Sequence, residues 1–217
     1  SLLPSEDAVP PAETFDLAAG NVPARHMAGD FYDYWMCDDS TMAFVIADVS
    51  GKGVPAAFFM GITRTMIRNL DKLQLDLDVM MRTVNELLME SNRRSMFVTL
   101  FYGVYELDTG RLRYINAGHL PPARIPRNGP VTTTAEATGT VLGVIPDAEW
   151  TVGELVLEEG EALVLYTDGV TEARNEDGTM LESDGFLELL ERHRTEASDP
   201  LCRSIVSFID EFEGAEQ

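Results

Sequence analysis

Two apolar-rich runs, residues 42–47 (MAFVIA) and 162–167 (ALVLYT), each stop at an aspartate that opens a turn. The first leads into Asp48-Val49-Ser50-Gly51 and the second into Asp168-Gly169. Runs of this length bounded by polar residues suit buried strands. A strand end fixes the position of a carboxylate, and the glycine that follows lets backbone approach a ligand closely. A third glycine-acid stretch, Gly29-Asp30-Phe31-Tyr32-Asp33, reads as a turn just ahead of the first strong strand. Any one Asp-Gly pair is an ordinary turn signal; the combination is what constrains the chain.

Around these points the periodicity changes repeatedly. Residues 54–70 form a helix candidate with Pro55 in its first turn, where a missing N–H costs nothing. Residues 78–90 place Val79, Met80, Val84, Leu87 and Leu88 at helical spacing. Residues 97–107 and 111–116 are β-rich and flank Asp108-Thr109-Gly110, a hairpin signal. Pro121, Pro122 and the threonines of 131–134 mark loop, and residues 151–157 alternate like a half-buried strand. Residues 186–192 and 201–212 close the chain as helices. There is no steady β-α-β alternation, which argues against a doubly wound parallel sheet. Residues 1–14, rich in proline, read as a linker or arm, and 15–217 as one domain.

The charge balance, 37 acidic against 16 basic residues, gives a net charge of −21. Such a field repels phosphate backbones and anionic membrane surfaces, so nucleic acid and membrane are poor partners. Cys37 and Cys202 lie far apart without metal-type spacing, which suits a reducing compartment and disfavours a cysteine-ligated metal. No apolar run is long enough to span a bilayer. The chain reads as cytoplasmic.

Carboxylates converging at strand ends repel one another by roughly 3 kcal/mol per pair at about 5 Å and an effective dielectric near 20. A divalent cation removes that repulsion, and a hard oxygen ligand set without Cys or His points to Mg²⁺ or Mn²⁺. Other chemistries fail on spacing. Ser50-Gly51-Lys52-Gly53 resembles part of a phosphate loop, but Ile46 stands at the first glycine position and Gly53 where Ser or Thr is required. No G-x-S-x-G elbow or EF-hand pattern is present. His119, in Asn116-Ala117-Gly118-His119, suits either a loop-fixing hydrogen bonder or an acid–base role. Arg25 could meet a phosphate bidentately, or simply be an exposed arginine.

Several blocks together resemble one family. They are Ala28-Gly29-Asp30-Phe31-Tyr32-Asp33, Ala47-Asp48-Val49-Ser50-Gly51-Lys52-Gly53-Val54-Pro55-Ala56-Ala57, Met96-Phe97-Val98-Thr99, Asn116-Ala117-Gly118-His119-Leu120-Pro121-Pro122 and Tyr166-Thr167-Asp168-Gly169-Val170-Thr171-Glu172-Ala173. They look like the SpoIIE/RsbU-type branch of the metal-dependent (PPM, type 2C) serine/threonine phosphatases. The resemblance implies an α+β fold, a four-layer α-β-β-α sandwich of two antiparallel sheets flanked by helices. It implies hydrolysis of phosphoserine or phosphothreonine by water activated between two Mn²⁺ or Mg²⁺ ions, with no covalent intermediate. The partner implied is a phosphorylated STAS-type anti-sigma-factor antagonist, with room for an upstream sensor domain in the same chain.

Carried onto this sequence, Asp48 would bridge both metals and the Val49 carbonyl would help bind one. Asp30 would complete the first site and Asp168 the second. Arg25, Asp33, Gly169 and His119 are candidates for phosphate contacts or for supporting the ligands. The family's closing Asp-Asp motif would begin where this sequence stops at Gln217, so the domain is expected to lack that last strand. The alternative is a catalytically weak phosphatase-fold module that binds a partner or regulates.

Overall fold

A computed structural model describes residues 15–20, 29–92 and 96–214. The expected N-terminal arm and Arg25 lie outside the described residues. Five strands form one antiparallel sheet in the order β1-β2-β3-β4-β7: Phe31–Met36, Thr41–Val49, Val98–Glu106, Arg111–Ala117 and Gly153–Val156. Three short strands, β5 (Ala123–Ile125), β6 (Thr132–Thr133) and β8 (Ala162–Val164), form a second sheet in the order β6-β5-β8. The helices are α1 (Val54–Asp71), α2 (Leu77–Ser91), the single turn α3 (Asp168–Thr171), α4 (Glu182–His193) and α5 (Ser198–Phe212).

The layering follows from strand alternation, because successive side chains on a strand point to opposite faces. On β2, Ala43, Val45, Ala47 and Val49 join Val98, Leu100 and Tyr102 of β3 and the apolar stripes of α1 and α2 in one core. The other face of β2, Phe44 and Ile46, packs with Phe101, Leu112 and Tyr114 against Leu163 and Leu165. A third core lies between the small sheet and α4 and α5, around Ile125, Tyr166, Phe186, Leu190 and Leu201. Three cores separate four layers, so the chain is an α-β-β-α sandwich. Rings stack across the middle layer, Phe44 on Phe101 at 6.1 Å and Phe101 on Tyr114 at 5.2 Å.

The far end of α1 is bolted to the sheet. Asp71 accepts from Trp35 Nε1 at 2.6 Å and from the Tyr102 hydroxyl at 2.5 Å. Burial pushes the Tyr102 hydroxyl pKa upward, and the adjacent Asp71 carboxylate adds to the shift, so the phenol remains a donor at neutral pH.

Three sequence expectations change. Residues 31–33, read as the end of a turn, open strand β1; a charged residue at a core-facing position, Asp33, disguised the alternation. The stretch 131–134, read as loop, contains β6, and β5 follows directly on Pro122; both strands are too short and too close to prolines to show a period. The run 162–167 pairs only over Ala162–Val164, because its ladder partner β5 is three residues long. Among the described residues, no helix is long and apolar enough to cross a membrane.

Candidate metal centre

The same alternation sorts the acidic residues. Asp48 follows Phe44 and Ile46 on the face of β2 that looks toward the second sheet, at the point where the apolar filling ends. It pairs with Thr99 on β3. On β1, Phe31 pairs with Ala47; one step further along the same register sets Asp30 opposite Asp48. Asp30, Asp48 and Thr99 thus stand in a row across the end of three strands.

Asp33, three residues beyond Asp30, takes the opposite face. Its side chain is buried against α1, where Arg64 Nε donates to Oδ2 at 2.9 Å and Arg68 Nε at 2.8 Å. Arg68 Nη2 and the Tyr34 N–H both donate to Oδ1 at 2.9 Å. The Arg68 guanidinium also lies 4.4 Å from the centroid of the Trp35 ring. Both carboxylate oxygens are therefore engaged, and Asp33 serves to clamp β1 to α1.

At the row itself the electrostatics are those of crowded anions. The Asp48 carboxyl pKa is raised to about 7, first by burial, then by a hydrogen bond to the Asp30 carboxyl and by the charges of Asp30, Asp168 and Glu172. A proton shared between two carboxyls relieves repulsion that a cation would otherwise neutralise. Asp168 is raised as well, by burial first and then by Glu172 and Asp30; the Gly169 N–H and the charge of Lys52 oppose the shift.

The backbone beside Asp48 is shaped for close approach. A Cβ on Gly29 would lie 2.5 Å from the Val49 carbonyl oxygen, so only glycine fits there. Gly51, with φ near +93°, turns the chain immediately after Ser50. The donor set is carboxylate and carbonyl oxygen, which fits Mg²⁺ or Mn²⁺. Among the described residues, however, no three His, Cys, Asp or Glu side chains form a ready-made cage. Asp30 and Asp48 are in contact through their hydrogen bond, while Asp168 reaches them through charge.

His119 is buried, 5% exposed, and bridges the row to the Asp168 segment. Its Nδ1 lies 3.1 Å from Thr99 Oγ1 and its Nε2 lies 3.1 Å from the Tyr166 carbonyl. Sequence reasoning gave no role to Thr99, Lys52 or Glu172. Glu172 falls one helical turn after Asp168, a spacing that could have revealed it, and Thr99 emerges only from strand pairing. Arg64 and Arg68, one turn apart on α1, carry a similar signal that needed a partner to be read.

Residues 38–217 match the family model of the Stage II sporulation protein E (SpoIIE). The chain is 33% identical over 197 residues to the phosphoserine phosphatase RsbU of Bacillus subtilis, covering 91% of this chain and 58% of that relative. It is similar in fold to the RsbU and RsbW domains of a Mycobacterium tuberculosis protein, with a TM-score of 0.74, 25% identity, and coverage of 90% of this chain and 53% of that one. The catalytic domain of the serine/threonine phosphatase PstP, in complex with two manganese ions, shares the fold at a TM-score of 0.60 and 16% identity, covering 91% and 90% of the two chains. The family match spans well over half of the chain, and this chain belongs to the SpoIIE family.

Proposed function

We propose that this domain is a metal-dependent protein serine/threonine phosphatase acting on a phosphorylated partner protein. The observation that carries the reading is the Asp30–Asp48 carboxyl pair, held at the sheet end with Asp168 and Glu172 adding charge. A relative 33% identical to this chain is a phosphoserine phosphatase, and a fold neighbour is in complex with two manganese ions. Since this chain spans 58% of that relative, the activity assigned here is that of the domain.

In this reading Asp48 and Asp30 present the charge that holds one divalent ion, with the Val49 carbonyl beside them, and Asp48 and Asp168 hold a second. Bound divalent ions of this kind supply a water of lowered pKa and neutralise charge developing at phosphorus. The chain's own part is to fix the carboxylates. The β1–β2–β3 register sets Asp30 and Asp48, and the Tyr166–Asp168 segment sets the remaining one. Lys52, exposed on the turn after Asp48, brings positive charge to the same rim. The substrate proposed is a serine-phosphorylated STAS-type anti-sigma-factor antagonist, in keeping with the RsbU likeness.

The test is Mn²⁺-dependent release of phosphate from such a phosphoprotein. Turnover that EDTA abolishes and Mn²⁺ restores supports the reading. Binding of the phosphoprotein without turnover at saturating Mn²⁺ favours the alternative, a partner-binding module, which the absence of a ready-made cage among the described residues would then explain.

A further inference from the structure

β8 is an edge strand among the described residues, and its ladder to β5 ends at Val164. The chain must still run through Leu165, Tyr166 and Thr167 before it delivers Asp168. What holds that stretch is uneven. The Tyr166 ring is anchored on one side, packed against Phe186 at 4.5 Å in the core beneath α4. On the other side its carbonyl has no strand partner and meets the His119 imidazole instead.

A carbonyl only accepts, so Nε2 of His119 carries the hydrogen and donates to Tyr166. Nδ1 is then the acceptor, taking the Thr99 hydroxyl hydrogen. Burial holds the imidazole pKa down to about 4, so this neutral tautomer is the working form. The ring is itself fixed from behind. The His119 N–H donates to Asn116 Oδ1 at 2.8 Å, and Asn116 Nδ2 donates to the Ala135 carbonyl at 3.0 Å. Thr99 is the cross-strand partner of Asp48, and Tyr166 lies two residues before Asp168.

We propose that His119 is a positioning residue: its imidazole spans the two sheets from Thr99 to the Tyr166 carbonyl and so sets where Asp168 stands relative to Asp48. The inference rests on the metal-centre reading above, since it gives the spacing of those two carboxylates a purpose. His119 touches neither carboxylate and acts through backbone, which separates it from an acid–base role.

The experiment compares wild type with His119→Gln, His119→Asn and His119→Ala. Two readouts are taken: the Mn²⁺ dissociation constant by calorimetry, and hydrolysis of para-nitrophenyl phosphate at saturating Mn²⁺. Glutamine can place an N–H where Nε2 stood; asparagine can replace only the Nδ1 arm. Supporting groups around metal sites change affinity by roughly 10- to 100-fold when lost. Asn and Ala should therefore weaken Mn²⁺ binding by about tenfold, with turnover largely recovered once metal saturates, while Gln stays close to wild type. Equal Mn²⁺ affinity in all four proteins, or equal losses in Gln and Asn, would overturn the proposal. A wild type that binds Mn²⁺ without hydrolysing the probe or a phosphoprotein would instead overturn the phosphatase reading, and the ranking of affinities would still decide the role of His119. A wild type that binds no Mn²⁺ would overturn both.

Discussion

The carboxyl of Asp48 is hydrogen-bonded to that of Asp30, and the strand pair that brings them together is apolar along the rest of that face, apart from its tyrosines. Two acids can share a hydrogen bond only while one holds a proton. In the absence of a cation the proton takes the cation's place, and the Asp48 carboxyl, at about 7, is the group that keeps it.

Replacing Asp48 with Asn tests that arrangement. The amide cannot supply charge to two cations, so phosphatase turnover should fall well below a tenth of wild type, more than about 1.4 kcal/mol of transition-state stabilisation. Folding of the metal-free protein should be unharmed, and above pH 7 slightly favoured, because an anion has been removed from a crowd. Retained turnover in a steady-state assay, or a fall in melting temperature with EDTA present, would contradict the role.

The same pair predicts a pH dependence. The Asp48 pKa is raised in the folded state, so the folded chain binds the proton more tightly than the unfolded one. Stability from this group is therefore complete below the ordinary carboxylate range near about 4 and is lost as pH rises toward about 7. Thermal melts in EDTA should show it as a decline across that window, reduced in Asp48→Asn. Since cations compete with that proton, added Mn²⁺ should raise the melting temperature more at pH 8 than at pH 5.5. The reverse order would count against the assignment.

Asp33 should behave unlike its neighbour. Removing the charge from a buried carboxylate that two guanidiniums grip costs about 3 kcal/mol or more, so Asp33→Asn should lower the denaturation midpoint sharply. Its Mn²⁺ affinity, measured under conditions where the variant is folded, should stay near that of wild type, because Asp33 faces α1 and not the row of Asp30, Asp48 and Thr99. A large loss of metal affinity would place Asp33 in the centre after all.

Gly29→Ala probes the backbone. The added Cβ meets the Val49 carbonyl at 2.5 Å, which real atoms do not allow, so the segment carrying Asp30 must draw back from β2. Mn²⁺ affinity should fall by about tenfold while the core between the sheet and α1 and α2 keeps its cooperativity in denaturant melts. Unchanged affinity would show that the approach of Gly29 to Val49 has no bearing on the site.

The parts of this site that the sequence made legible are those a local pattern can carry. Asp48 and Asp168 stood out because each closes an apolar run, and α1 and α2 announced themselves by a helical period. What stayed hidden needed register. Asp30 and Asp33 look alike in the string GDFYD, yet strand alternation sends one toward the second sheet and the other into α1. β1 was missed for the same reason, since a charged side chain at a core position breaks the expected alternation until Arg64 and Arg68 are seen beside it. β5 and β6 are shorter than any period. Thr99 enters only through strand pairing, which no local pattern shows.

Anomalous diffraction from a Mn²⁺-soaked crystal, collected at the manganese absorption edge, measures the central claim most directly. The account predicts anomalous density between Asp30 and Asp48, with a second peak toward Asp168 and Asp48. Density confined to other acidic residues, or none at the end of β2 under saturating Mn²⁺, would contradict it.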